Sequence, residues 1–102
     1  MRIICLFNLK PGVEVAEYEA WAKTRDIPTV KALGSVISFS VHKATGVFGD
    51  DSAAPAYQYI EVIDITGMDD FIADIATEAF QAAAAPFQGF ADAPHFILTE
   101  DL

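Results

Sequence analysis

The chain is poor in cysteine, in positive charge and in long apolar runs, and each shortage removes a class of function. A single cysteine, Cys5, lies inside an apolar stretch, Ile3-Ile4-Cys5-Leu6-Phe7. No disulfide can form within these 102 residues, and no multi-cysteine metal motif can be written. In such surroundings a cysteine reads as a small buried hydrophobe. Six basic residues stand against fifteen acidic ones, for a formal charge of −9. Phosphate backbones and anionic lipid would be repelled, so neither nucleic acid nor a membrane is an expected partner. No apolar run approaches the roughly 18 residues that a membrane span needs. The apolar segment 1–8 is short and runs into a polar turn without a small-residue cleavage site, so it does not read as a signal peptide, and the expectation is a cytoplasmic protein. There is no nucleophile elbow, no phosphate loop, no two-histidine zinc spacing and no dinucleotide fingerprint. Neither a bound metal nor an organic cofactor is expected.

What is present is a large apolar fraction. Hydrophobic residues make up 53% of one expected domain, 1–102. A chain this short has too much surface for its volume to hide that much apolar area alone. A homo-oligomer that buries a second apolar face resolves the conflict.

The apolar pattern gives an order of elements. Residues 2–9 are apolar at nearly every position and read as a strand covered on both faces. Lys10-Pro11-Gly12 is a turn. A helix from Val13 places Tyr18, Trp21, Ala22 and Arg25 on one face and should stop or bend at Thr24–Pro28. Asp26 reads either as the N-cap of a short helix over 27–33 or as a functional acid. A long strand over 35–48 and a third over 57–65 flank a turn-rich loop and should pair as an antiparallel hairpin. Thr66-Gly67-Met68-Asp69 resembles a capping box. It opens a helix whose apolar residues repeat at three and four from Met68 to Ala83, with Pro86 as its end. An irregular connection over 87–94 leads to a last strand, 95–99, and an acidic tail. The order β-α-β-β-α-β predicts a ferredoxin-like α+β sandwich, with helices on one side of a four-stranded antiparallel sheet. Apolar residues on both faces of several strands predict that two copies cover each other's open sheet face, forming a homodimer with the architecture of a dimeric α+β barrel.

The second strand has unlike faces: Ile37, Phe39 and Val41 on one, Ser38, Ser40 and His42 on the other. If the polar face lies under the first helix, a cleft follows. His42 and Glu61 would sit on neighbouring strands, Tyr59 beside Glu61, with Tyr18, Trp21 and Arg25 above them and Phe90 and His95 flanking the last strand. An aromatic cleft holding a histidine, a carboxylate and a guanidinium has the make-up of a small-molecule site. Its catalytic candidates are His42, as the proton shuttle, with Glu61 or Asp26 to orient it. The substrate-binding candidates are Tyr18, Trp21, Arg25, Tyr59, Phe90 and His95, with Arg25 placed to hold an anion. Each has a plainer reading as core, salt-bridge or loop residue.

The opening MRIICLFNLKPGV, the segment Tyr18-Glu-Ala-Trp21-Ala with Asp26-Ile-Pro28-Thr-Val, the strand end Val41-His42-Lys43-Ala44-Thr45-Gly46, the strand Tyr59-Ile-Glu61-Val-Ile-Asp64, and the closing Phe87-Gln-Gly-Phe-Ala-Asp with Phe96-Ile-Leu-Thr-Glu100 together resemble the RedY-like, or HapK-like, proteins. The resemblance runs from end to end. It implies a dimeric α+β barrel, and a role without an organic cofactor in making or tailoring aromatic pyrrole or indole metabolites, since family members accompany prodiginine and bisindole pathways. Asp26, His42 and Glu61 lie in the matching motifs. Two functions fit: a cofactor-independent enzyme acting on a small aromatic molecule by acid/base chemistry, or a non-catalytic binding or chaperone-like accessory of biosynthetic enzymes.

Overall fold

A computed structural model describes residues 1–102. Four strands, β1 (Arg2–Leu9), β2 (Val36–Lys43), β3 (Tyr59–Ile65) and β4 (Ala91–Leu98), form one antiparallel sheet in the order β2-β3-β1-β4. The expected ferredoxin-like order is therefore found. β1 is central because it can be buried on both sides: its residues alternate between fully buried Ile3, Cys5 and Phe7 and half-buried Ile4 and Leu6. All helices lie over the face that carries Ile3, Cys5 and Phe7 of β1 and Tyr59, Glu61, Ile63 and Ile65 of β3.

The first crossover is a nearly continuous helical run: α1 (Val15–Trp21), a π-helical turn (Ala22–Asp26) and α2 (Ile27–Lys31). The expected stop at Thr24–Pro28 does not occur. The Ile27 N–H reaches back five residues to the Ala22 carbonyl, and Pro28, which has no N–H to donate, falls just after this widened turn in the first turn of α2. Asp26 keeps helical backbone angles and makes no side-chain cap, so the N-cap reading fails. Instead, Tyr18, Ala22, Asp26 and Val30 recur at intervals of four and all point at the sheet, where all are buried.

The second crossover also departs from expectation. The long helix breaks at Ala76–Thr77 into α3 (Met68–Ile75) and α4 (Glu78–Phe90). Thr77 is the effective cap, its Oγ1 accepting from the Phe80 N–H at 3.2 Å, while Gly67 opens α3 without any side-chain cap. Pro86 does not end the helix; α4 continues through it to Phe90 and passes directly into β4. Neither helix contains a fully buried residue, so this half covers the sheet loosely and leaves space beneath it.

The two strands of the hairpin are shorter than the pattern suggests, β2 ending at Lys43 and β3 starting at Tyr59. A bulge between Val36 and Ser38 turns Ile37 out of the helix-side row, so it is exposed rather than aligned with Phe39 and Val41 on one face. A second irregularity lies between Leu6 and Asn8 of β1 as they face β4. Opposite it, Ala93 adopts a left-handed conformation, φ 43°, which costs a non-glycine residue energy and re-aims the start of β4.

Candidate active site

The helix-side core is two apolar clusters with a polar seam between them. Cys5, Phe7, Tyr18, Ala22, Tyr59 and Ala91 form one cluster; Ile3, Val30, Phe39, Ile63 and Ile65 form the other. Along β3 the row Tyr59, Glu61, Ile63 crosses from one cluster to the other, and the crossing point is a glutamate. Along the facing helices the row Ala22, Asp26, Val30 does the same, and the crossing point is an aspartate. Strand and helix periodicity thus place one carboxyl from each layer at the same level of the core. Glu61 is 4% exposed and Asp26 8%. Cys5 is directly opposite Glu61 in the β1–β3 register.

Burial of an acid without a cation disfavours its charged form. Burial alone pushes the Asp26 carboxyl up to about 6. Burial, and after it the charge on Asp26, push Glu61 up to about 8. The same surroundings raise the Tyr18 hydroxyl and the Cys5 thiol: burial contributes most, then Glu61, then Asp26. Cys5 is therefore a thiol and not a thiolate. Glu61 Oε2 and the Tyr18 hydroxyl are both buried without a hydrogen-bond partner. The two acids are coupled, and burial favours the pair holding on to a proton towards neutral pH.

Both carboxyls line a cavity of about 600 Å³ between the sheet and α4. Its other walls are mostly apolar, with Phe39, Ile63, Phe80, Phe87 and Phe96, and two neutral amides, Gln81 and Gln88. No group of three or more histidine, cysteine, aspartate or glutamate side chains is gathered anywhere that could hold a metal ion.

Of the candidates, the structure brings together Asp26 and Glu61 and separates the rest. His42 is on the opposite face of the sheet from Glu61, exposed, with Nε2 2.9 Å from Ser40 Oγ. The cleft expected over Ser38, Ser40 and His42 does not exist, because the face turned towards the helices is that of Phe39. Tyr18, Trp21, Tyr59 and Phe90 form an aromatic cluster beside the cavity and do not line it: Tyr18 lies 4.8 Å from Tyr59 and 5.7 Å from Phe90, and Trp21 5.4 Å from Phe90, centroid to centroid. The Tyr59 hydroxyl donates to Glu19 Oε2 at 2.7 Å, and Lys43 Nζ meets the same oxygen at 3.0 Å. Arg25 is exposed, makes no ion pair and lies outside the cavity. His95 is exposed on the open sheet face, edge-on to Tyr57 at 6.0 Å. Sequence reasoning missed the lining residues other than Asp26 and Glu61, among them Phe80, Gln81, Phe87 and Gln88 of α4. The helical spacing of these four is visible in the sequence, though for Phe87 and Gln88 only if the period is carried through Pro86.

The family model described as REDY-like protein HapK matches residues 1–102. The chain belongs to the REDY-like HapK family. Among solved structures, that of HapK from Hahella chejuensis is 30% identical, with 100% of this chain and 93% of that one aligned at a TM-score of 0.74. Two further structures are similar in fold alone. A dimeric ferredoxin-like protein of unknown function from Thermobifida fusca is 21% identical, over 94% of this chain and 85% of that one, at 0.70. SnoaB, a cofactor-independent oxygenase from Streptomyces nogalater, is 12% identical, over 99% and 93%, at 0.68. No curated protein matches the chain. This member of the HapK family thus carries its buried acid pair on the fold that these structures share.

Proposed function

We propose that this HapK-family protein is a small cofactor-independent enzyme that transfers protons on an aromatic, pyrrole- or indole-type intermediate held in the cavity between sheet and α4. The observation that carries this reading is the placement of Asp26 and Glu61, one from each layer, on the wall of a largely apolar cavity. At neutral pH Glu61, pushed up to about 8, is the proton donor, and Asp26, pushed up to about 6, is the acceptor. Values on either side of 7 are what acid/base work at that pH requires, and carboxyls perform it without a cofactor. The phenylalanine-lined apolar walls support an aromatic substrate, the class that the family resemblance implies. The half-covered open face, with Ile4, Leu6, Ile60 and Val62, supports a homodimer through the sheet, as does the likeness to a protein described as dimeric.

The test is turnover of pyrrole- and indole-type intermediates, followed by mass spectrometry, with wild type, Glu61→Gln and Asp26→Asn. Loss of product formation in both variants, with substrate binding retained, is the expected result. Binding without turnover in the wild type would instead assign the accessory, non-catalytic role.

A further inference from the structure

The charges that face the cavity are unbalanced. From the helical layer Asp26 faces it, and from the sheet Glu61; α4 and β4 contribute no charged side chain. The only cation among the lining residues is Lys10, on the turn after β1, which is exposed and contributes to neither carboxyl's shift. Arg25, the cation that the sequence offered as an anion clamp, lies outside. Glu61 Oε2 is buried with no hydrogen-bond donor from the protein. An acid pair that the fold buries without a counter-charge is an unfilled half of an ion pair. The phenylalanine rings lining the same space also attract cations through their faces.

Resting on the reading of Asp26 and Glu61 as the working pair, we infer that the cavity selects a ring compound bearing a basic nitrogen (an amine, imine or amidine), bound as its cation between the two carboxyls, and rejects carboxylates. The cation supplies the charge that the protein withholds, and its N–H groups supply the donor that Glu61 Oε2 lacks. The cation's charge faces ionised Asp26, and Glu61 keeps the proton that the proposed chemistry uses. A carboxylate in the same place would add a further negative charge to a buried site that already disfavours ionised acids.

Three probes with one ring and nearly the same side-chain length separate the possibilities: tryptamine, tryptophol and indole-3-propionate. Calorimetric titration of the full chain at pH 7 reads the three affinities. Tryptamine is expected to bind at millimolar concentration or below, about tenfold or more tighter than tryptophol, with indole-3-propionate weakest. In Glu61→Gln and in Asp26→Asn, each checked for native circular dichroism, the preference for tryptamine over tryptophol should shrink to within about threefold while tryptophol still binds. Tryptophol or indole-3-propionate binding as tightly as tryptamine, yet weakened by both substitutions, would overturn the charge preference and leave the acid pair as the site. An order of affinities that neither substitution changes, or no binding by any probe, would overturn both.

Discussion

The two faces of β3 are built from the same strand and have opposite character. The face of Tyr59, Glu61, Ile63 and Ile65 is sealed by helices, and every one of its residues is buried. The face of Ile60, Val62 and Asp64 is only partly covered. Each face carries an acid, and what that acid can do differs because access to water differs. On the open face Asp64 is held below the usual carboxylate range by hydrogen bonds from Arg2 and Ser38, an ordinary surface arrangement. On the covered face Glu61 has no cation and little water, and burial drives it the other way. Two carboxyls three residues apart in sequence thus titrate in opposite directions. Exposure, and not residue type, separates a surface acid from a candidate catalytic one.

Glu61→Gln removes this difference between the faces most completely. It keeps the volume of the side chain and abolishes its proton chemistry, and turnover should fall by about a hundredfold or more. Next in size is the pH dependence of stability. In the unfolded chain Asp26 and Glu61 titrate near their ordinary 3.8 and 4.5; in the folded protein they hold their protons to about 6 and about 8. Between about pH 4 and pH 8 the folded state therefore binds more protons than the unfolded one, and stability falls as pH rises. Unfolding free energies from urea titrations across this range should decline by an amount on the order of a few kcal/mol. In Glu61→Gln the decline should be shallower and finish near pH 6, where Asp26 titrates. Stability that rose steadily from about pH 4 to pH 8 would contradict the burial assigned to this pair.

On the other face, Val62→Lys places a charge in the centre of the open apolar surface. Sedimentation should show the proposed homodimer in the wild type and monomer in the variant, with the titration of Glu61 unchanged; an unshifted dimer would remove the sheet face as the interface. A smaller effect is expected of Tyr59→Phe, which loses only the hydrogen bond to Glu19. The cost should be up to about 1 kcal/mol in chemical denaturation, because the hydroxyl reaches the exposed edge of α1 and its partner can turn to water. The smallest is His42→Ala. On the face away from the acid pair it should leave both turnover and stability nearly unchanged, within about 0.5 kcal/mol for the latter. A large loss of turnover would return the imidazole to the mechanism, reached from the open face.

Strand alternation and helical spacing were enough to read the order of elements and the antiparallel sheet from the sequence, and the motifs along the chain were enough to read the family. The family motifs marked Asp26 and Glu61; that each is an acid whose period-matched neighbours are apolar shows once the helical run is seen to continue past Asp26. Those signals are local, set by backbone geometry over a few residues. What they could not decide was which side of β2 the helices would cover. Phe39 and Val41 competed there with Ser38, Ser40 and His42, and burial of the larger apolar side chain won. Nor could they show that the helical run passes Asp26 through a π turn, or that α4 survives Pro86 and stands off the sheet far enough to leave a cavity. Those outcomes depend on how whole layers pack. Only the tertiary structure decided that the two buried acids share one cavity while the histidine, on the strand next to Glu61, faces out from the other side of the sheet.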